Sequence, residues 1–294
     1  MKLPNFLIVG VQKAGTTSIY NYLNEHPQVY MSPIKETNFL AKDWETIDPE
    51  LDKKQKTRTF EQYCLLFQNV KDEIAIGEAS PNYLFHYQTS ANRIQRYVPN
   101  AKLIAILRDP AERAYSDYLM HVRDCVGYRS LSEQIKYSAH KSFMLRKGFY
   151  YEPLKHYINT FGKQQIKIYL YKDLCQSPFD FMKSIYQFIG VKDSFQANVS
   201  KKVQVAQIPK NKIVNELLSK PNFIRSSIAK IAKYILPSKS RKNLRQSLIK
   251  FNSQDKKQAP LSAEDRQKLI EFYREDILRL QDLIQRDLSF WLQI

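Results

Sequence analysis

The feature that most restricts the fold is an apolar run that leads into a loop between two glycines and then into a helical pattern. Residues 6–9 are all apolar and end at Gly10, which is typical of a buried parallel strand. The loop closes at Gly15, and the apolar spacing after it predicts a helix that begins near Thr16 or Thr17. In such a unit the free backbone N–H groups at the helix start attract an anion. The segment therefore predicts an α/β fold with an anion site.

The alternation of strand and helix patterns continues along the chain. Further strands are predicted at 29–31, 74–76, 103–107 and 166–170, and further helices from Pro110 past Tyr118, over 179–189 and over about 263–285. Capping residues flank these helices at Asp109, Gly190 and Ser262. Because strands that alternate with helices form parallel βαβ units, we predict a P-loop-like three-layer α/β fold, in which helices flank a central parallel sheet.

The net charge of +17 over 294 residues predicts an anionic partner: a nucleic acid, a membrane surface, or a ligand that carries phosphate or sulfate. Most of this charge, +13, lies in residues 196–258, which hold fifteen Lys and Arg but two acidic residues. We expect a single domain over 1–294, with residues 196–258 as a basic helical insertion or lid. Within it, residues 222–236 have the pattern of an interfacial helix, so a peripheral membrane contact is one alternative to a lid over the acceptor.

Composition also excludes several classes of protein. Cys64, Cys125 and Cys175 are odd in number and far apart, which argues against a disulfide scaffold and fits a reducing compartment. No histidine has ligand spacing with another histidine or a cysteine, so no metal site is expected. The sequence has no run of 18 apolar residues and no pattern of an export signal at its start, and the expected location is the cytoplasm. The oligomeric state stays open.

The glycine loop differs from the loop that binds nucleoside triphosphates, G-x-x-x-x-G-K-[ST]. Its glycine spacing is the same, but Thr16 takes the place of the lysine, and Lys13 stands inside the loop. The lysine after the second glycine serves the β- and γ-phosphates beside magnesium, so its displacement argues against a P-loop kinase or NTPase, which is the first alternative. The second is a membrane-surface or nucleic-acid-binding protein. Because no known nucleic-acid-binding signature is present, we expect no nucleic acid partner.

Several segments resemble the sulfotransferases that use 3′-phosphoadenosine 5′-phosphosulfate (PAPS), and most closely their bacterial and heparan-sulfate-type branch. The segments are GVQKAGTTS at 10–18, NYLNEHP at 21–27, KETNF at 35–39, the stretch 101–118 that contains LRDPAERAYSDY, and QRDLSFW at 285–291. The resemblance implies transfer of a sulfuryl group from PAPS to a hydroxyl group, with an amine as the alternative, and release of PAP without a metal. A small metabolite, a sugar or a lipid would be the acceptor, as in natural-product biosynthesis.

The resemblance also assigns the residues that bind PAPS. The 5′-phosphosulfate would be held by Lys13, Gly15, Thr16, Thr17 and Ser18. Arg108 and Ser116 would bind the 3′-phosphate, with Arg113 as a possible helper, because the guanidinium fork can donate twice to a phosphate. Lys256 and Lys257 could close over the same phosphate, although a solvated basic run explains them equally well.

Two residues are assigned to the chemistry. Lys13 would stabilise the charge on the leaving oxygen, and Glu36 would be the general base, with its pKa raised by burial. Glu78 and His86 are the alternative bases. Ala79 stands where the family often has a lysine, which removes one expected cation near the sulfuryl group. The sequence leaves open the identity of the acceptor and the choice between O- and N-sulfation.

Overall fold

The structure is a computed structural model in which the chain forms two compact units. Unit 1 comprises Met1–Arg113, Phe149–Gln204 and Tyr273–Gln293, and unit 2 comprises Ala114–Gly148, Val205–Phe272 and Ile294. The residues described are 2–48, 50, 55–124, 129–199, 207–209, 247, 253–255 and 260–294. Several predicted features lie outside them: residues 222–236, most of the proposed lid at 196–258, Cys125, Lys256 and Lys257. The expectation of a single domain stays a prediction.

Unit 1 contains a sheet of five parallel strands. They are β1 (Phe6–Gly10), β2 (Val29–Met31), β3 (Ala75–Ala79), β4 (Lys102–Leu107) and β5 (Ile166–Leu170). The strand order is β2-β3-β1-β4-β5, and every neighbouring pair is parallel. All five residues of β1 are buried, as its apolar run predicts for a central parallel strand. The predicted α/β architecture with a central parallel sheet is confirmed.

The third strand differs from its prediction, which placed it at 74–76. Ile74 lies before the strand and is 54% exposed, whereas β3 continues through Glu78, a buried carboxylate. Gly77 makes the centre of the strand possible, because a Cβ there would lie 2.1 Å from the ring of Phe6 on the neighbouring strand. The apolar pattern missed this end of the strand because it counted a glycine and a glutamate as strand breakers.

Ten helices are found among the described residues. They are α1 (Thr16–Asn24), α2 (Phe60–Leu65), α3 (Tyr87–Tyr97), α4 (Pro110–Arg123), α5 (Leu131–Ser138), α6 (Phe143–Arg146), α7 (Tyr151–Phe161), α8 (Tyr171–Gln176), α9 (Pro178–Ile189) and α10 (Ala263–Ile284). Short 3₁₀ helices lie at Phe39–Ala41, Trp44–Thr46 and Ser289–Leu292. The four helices predicted from the sequence, now α1, α4, α9 and α10, are confirmed within one or two residues.

The predicted helix caps are also present. The Asp109 carboxylate accepts hydrogen bonds from the backbone N–H groups of Ala111 (2.8 Å) and Glu112 (3.1 Å) at the start of α4. The Ser262 hydroxyl accepts one from the N–H of Asp265 (3.1 Å) at the start of α10. Gly190 ends α9 with φ of 83°, a left-handed conformation that glycine adopts without steric cost. Local chemistry therefore fixes these three boundaries.

Unit 2 contains a second, smaller set of elements. Its strands β6 (Gln207–Pro209) and β7 (Ser253–Asp255) pair antiparallel, with Gln207 opposite Asp255. Its helix α5 begins with a capping box, in which the Ser130 hydroxyl accepts from the N–H of Glu133 and the Glu133 carboxylate accepts from the N–H of Ser130. The sequence patterns predicted none of these three elements, β6, β7 and α5.

Candidate active site

The carboxyl ends of all five parallel strands meet at one edge of the sheet in unit 1. Lys13 follows β1, Glu36 follows β2, Ser80 follows β3, Arg108 follows β4 and Tyr171 follows β5. The first strand lies between β3 and β4, so the chain turns to opposite sides of β1, and ligands of open α/β sheets bind at such a switch point. The edge beside β1 is therefore the expected place of the anion site.

The loop after β1 presents the start of α1 without a side-chain cap. Its N-cap is Gly15, and the first turn of the helix contains no acidic residue. Gly15 has φ of 79°, and a Cβ there would lie 2.9 Å from Cδ2 of Leu174, so the loop requires a glycine at this position. Lys13 also lies in the left-handed region, with φ of 73°. Such a helix start favours an anion through its N–H groups and its dipole.

The hydroxyl residues of the loop differ in exposure. Thr16 is buried, whereas Thr17 and Ser18 are partly exposed. The three therefore lie on the first turn of α1, where the predicted phosphosulfate site needs them, although Thr16 presents its backbone rather than an exposed side chain.

Arg108 joins this loop to the end of the neighbouring strand. Its Nη1 donates a 2.9 Å hydrogen bond to the carbonyl oxygen of Lys13, and its Nη2 lies 3.2 Å from the Glu112 carboxylate. The guanidinium carbon lies 5.1 Å from the centre of the Tyr171 ring. The Arg108 carbonyl accepts a 2.9 Å bond from the hydroxyl of buried Tyr150. The structure thus brings together two residues, Lys13 and Arg108, that lie far apart in the sequence.

The remaining residues of the predicted 3′-phosphate segment lie on α4. Arg113 is fully buried and is the last residue of unit 1 before α4 continues into unit 2. Ser116 is also buried and belongs to unit 2. Both occupy the helix that the sequence predicted, and the role of Ser116 stays a prediction.

Glu36 lies beside the end of β3. Its N–H donates a 2.8 Å bond to the carbonyl oxygen of Ala79, and its carboxylate forms a 2.6 Å ion pair with Lys35. The Glu36 side chain is 36% exposed, and its backbone has φ of 63°, an unusual conformation for a residue other than glycine. The Asn38 side chain donates to the Glu36 carbonyl at 3.1 Å. The carboxylate of Glu36 is thus partly exposed and paired with Lys35, which corrects the expectation from the sequence that this carboxylate is buried.

The two alternative bases have different environments. Glu78 is fully buried, and its carboxylate accepts hydrogen bonds from the hydroxyls of Thr37 (2.8 Å), Tyr63 (3.1 Å), Tyr83 (2.8 Å) and Ser80. Burial raises the pKa of Glu78, and the hydroxyl donors oppose that rise. His86 is partly exposed and immediately precedes α3. Because Glu78 does not reach the surface, its carboxylate is poorly placed to meet a substrate.

Two further properties bear on the site. Over the part of the chain that the structure describes, no cluster of three His, Cys, Asp or Glu side chains is arranged to hold a metal ion. Among the described helices, none is both long and apolar enough to cross a bilayer.

Comparison with known proteins identifies the family. Residues 4–195 match the model described as the sulfotransferase family. The chain belongs to the sulfotransferase family. This membership favours the sulfotransferase interpretation of the glycine loop over the kinase alternative, and the matched range contains Lys13, Glu36 and Arg108.

Several relatives of this sulfotransferase are known. Human carbohydrate sulfotransferase 15 is 28% identical over 246 residues, covering 64% of this chain and 44% of the relative. The human bifunctional heparan sulfate N-deacetylase/N-sulfotransferase 3 is 29% identical over 208 residues, covering 65% of this chain and 22% of the relative. The chain thus spans less than half the length of these curated relatives.

A solved structure resembles this chain over its full length. It is the crystal structure of a sulfotransferase from Alicyclobacillus acidocaldarius, which is 26% identical, covers 100% of both chains and gives a TM-score of 0.73. The likeness agrees with the family assignment and with the P-loop-like fold expected from the sequence.

Sequence reasoning missed the residues that support the sulfotransferase site from other elements. Tyr150 and Tyr171 contact Arg108, and four hydroxyl residues contact Glu78. Only the stretch 145–151 carried a signal for one of them, because it resembles a family segment near the nucleotide. The other contacts join positions with no common pattern in the chain.

Proposed function

We propose that this sulfotransferase moves a sulfuryl group from PAPS to a hydroxyl or amine group of its acceptor by in-line displacement. The observation that carries the proposal is the hydrogen bond from Arg108 to the Lys13 carbonyl. It joins the loop after β1, where a 5′-phosphosulfate would bind, to the end of β4, where a 3′-phosphate would bind. A ligand with two anionic groups, such as PAPS, requires two such sites to be held in a fixed relation.

The residues present fit a phosphosulfate donor. The start of α1 supplies N–H groups and no competing acidic side chain in its first turn, and the Thr17 and Ser18 hydroxyls lie on that turn. Arg108 would donate to the 3′-phosphate, and the role of Ser116 on α4 stays a prediction.

Two side chains would each contribute to one part of the reaction. The acceptor oxygen or nitrogen attacks sulfur while the bond from sulfur to the bridging oxygen breaks, and that oxygen leaves as part of PAP. Lys13 would stabilise the negative charge that develops on the leaving oxygen, because its ammonium is a compact cation. Glu36 would take the proton that the acceptor loses, because its carboxylate is partly exposed at the edge of the sheet.

The names of the relatives support one class of acceptor. Their names describe a carbohydrate sulfotransferase and a heparan sulfate N-sulfotransferase, which supports a carbohydrate acceptor with either an oxygen or a nitrogen as the sulfated atom. A small metabolite or a lipid stays the alternative. Action in the cytoplasm, a role in natural-product biosynthesis and a membrane contact through residues 222–236 stay predictions from the sequence.

One experiment tests the function. The protein is incubated with PAPS and, in parallel, with a phenol, a primary alcohol, an amino sugar and an unsulfated glycosaminoglycan, and each product is identified by its mass. The proposal expects a gain of one sulfuryl group on one of these acceptors and stoichiometric release of PAP, both unchanged by EDTA. Turnover of ATP with magnesium and none of PAPS would support the kinase alternative instead.

A further inference from the structure

Glu78 is the centre of a hydrogen-bond network that the proposed chemistry does not use. Its carboxylate lies at the end of β3, fully buried, and accepts hydrogen bonds from four hydroxyl groups. They belong to Thr37, Tyr63, Ser80 and Tyr83. A buried carboxylate costs free energy unless such donors satisfy it.

Three of these hydroxyls also hold the backbone of the segment that follows Glu36. The Ser80 hydroxyl accepts a bond from the N–H of Asn38 at 3.0 Å. The Thr37 hydroxyl accepts one from the N–H of Phe39 at 3.3 Å, and the Tyr83 hydroxyl accepts one from the N–H of Leu40 at 3.2 Å. The backbone N–H groups of residues 38, 39 and 40 therefore each donate to a hydroxyl that in turn donates a hydrogen bond to Glu78.

The segment held in this way positions Glu36. Glu36 has φ of 63° and Asn38 has φ of 51°, so two non-glycine residues lie in a conformation that side chains disfavour. Such a conformation persists only where surrounding bonds impose it. The bonds to this segment include the one from the Glu36 N–H to the Ala79 carbonyl, at 2.8 Å, the one from the Asn38 side chain to the Glu36 carbonyl, at 3.1 Å, and the three N–H bonds to the hydroxyls that contact Glu78.

We infer that Glu78 is a positioning residue for sulfuryl transfer: its carboxylate orients Ser80, Thr37 and Tyr83, which fix the backbone at 38–40 and thereby hold the Glu36 carboxylate at the edge of the sheet. The inference rests on the proposed function of Glu36 as the base. It explains why a carboxylate is buried among hydroxyls close to the site, and it excludes direct proton transfer by Glu78.

The test uses three substitutions that separate positioning from packing. In Glu78→Gln an amide NH₂ group replaces one carboxylate oxygen, so a donor faces hydroxyls that themselves donate. Thr37→Val removes one of the hydroxyls that hold the backbone at 38–40. Tyr63→Phe is the matched control, because its hydroxyl also donates to Glu78 but contacts none of the three N–H groups in the bonds described. Its ring, which stacks on Phe39 at 4.6 Å, is kept.

The first readout is kinetic, with PAPS and the acceptor of the panel that turns over fastest. Glu78→Gln and Thr37→Val should lower kcat by about 10- to 100-fold and leave the Kd of PAP within about twofold, whereas Tyr63→Phe should keep kcat within about twofold. In a protein that already carries Glu36→Gln, adding Glu78→Gln should lower kcat by less than about threefold, because Glu78 would act on turnover only through the Glu36 carboxylate. An equal loss in both backgrounds would overturn the inference.

The second readout needs no activity. The chain contains two tryptophans, and the indole N–H of Trp44 donates a 2.7 Å bond to the Asn38 carbonyl, so Trp44 reports on the held segment. With 5-fluorotryptophan incorporated, Glu78→Gln should shift or broaden the ¹⁹F resonance of Trp44 and leave that of Trp291 unchanged. Unchanged resonances in a folded Glu78→Gln protein would contradict the inference. If Glu36→Gln were fully active, the proposed base would be wrong, and this resonance would still decide whether Glu78 holds the segment.

Discussion

The Nη1 atom of Arg108 donates a 2.9 Å hydrogen bond to the carbonyl oxygen of Lys13, and so connects the ends of two neighbouring strands. The Tyr150 hydroxyl holds the Arg108 carbonyl from the other side, at 2.9 Å. Burial raises the pKa of Tyr150, so this hydroxyl stays protonated and able to donate at neutral pH. Arg108, which would bind the 3′-phosphate, thus also holds the backbone of the glycine loop through a hydrogen bond.

Arg108→Lys should therefore weaken binding of PAP by about 10- to 100-fold, because a charge-assisted hydrogen bond contributes about 1.5–3 kcal/mol and lysine cannot reproduce the fork. Isothermal titration calorimetry measures the Kd. Arg96→Lys, on the exposed face of α3, is the matched control and should bind PAP like the wild type. Equal affinities of all three proteins would exclude Arg108 from the site.

Lys13→Ala should lower kcat by about 100-fold or more, while the Kd of PAP rises only several-fold, because the charge on the leaving oxygen develops only in the transition state. Steady-state kinetics with PAPS and calorimetry with PAP give the two numbers. Equal losses in kcat and in affinity would mean that Lys13 serves in donor binding alone.

Glu36→Gln should lower kcat by about 10²- to 10⁴-fold with donor binding intact, since general base catalysis contributes a factor of that size. His86→Ala tests the competing base and should keep kcat within about threefold. The opposite ranking of the two variants, measured on the same acceptor, would transfer the role of base to His86.

Gly15→Ala should destabilise the protein more than Gly190→Ala, although both glycines lie in the left-handed region, with φ of 79° and 83°. At Gly190 the nearest atom to an added Cβ is Nζ of Lys102 at 3.8 Å, an ordinary contact, so the cost is the backbone conformation alone, about 1 kcal/mol. At Gly15 the Cβ would also meet Leu174 and Tyr171, which adds about 1–3 kcal/mol. Urea unfolding gives the difference, and equal destabilisation by the two changes would show that the loop tolerates the extra carbon.

The stability of unit 1 should depend on pH through Asp276. Its carboxylate accepts bonds from the N–H groups of Tyr150 (2.8 Å) and Tyr151 (3.2 Å) at the start of α7, yet burial raises its pKa to about 6. The hydrogen bonds and Arg279 lower this pKa, and the charge of Glu152 raises it. The folded state therefore keeps its proton at pH values where the unfolded state has lost it.

This shift makes the stability that Asp276 contributes largest below about pH 4, and that contribution is lost as the pH rises to about 6. The free energy of unfolding of the wild type minus that of Asp276→Asn should fall by up to about 1.4 kcal/mol per pH unit between pH 4 and 6 and stay constant above pH 7. Denaturant titrations at each pH measure it. Glu275→Gln, a change at the exposed neighbour, should show no such slope. If the free energy of unfolding of the wild type minus that of Asp276→Asn rose with pH between pH 4 and 6, the assignment to Asp276 would be contradicted.

The sequence predicted those parts of the fold that depend on local patterns. The run before Gly10 and the cap at Asp109 are short stretches whose chemistry determines the strand or the helix start by itself. The same patterns located Lys13 and Arg108 at strand ends, because parallel strands place their carboxyl ends together. These predictions needed no knowledge of contacts between distant segments.

The rest depended on such contacts. The burial of Glu78 requires hydroxyls from four positions between Thr37 and Tyr83, and no spacing in the sequence connects them. The sequence therefore predicts Glu78 only as an alternative base, whereas the structure shows a buried carboxylate that accepts four hydrogen bonds. The support of Arg108 by Tyr150 was missed for the same reason, because it joins residues 42 positions apart.

The left-handed backbone at Glu36 has a consequence for how this protein would change under selection. Glycine or asparagine adopts φ of 63° at lower cost, so a population selected for thermal stability alone should acquire Glu36→Gly or Glu36→Asn and gain about 1 kcal/mol. Neither replacement can accept a proton from the acceptor. Retention of glutamate at this position would therefore record selection for turnover against selection for heat resistance.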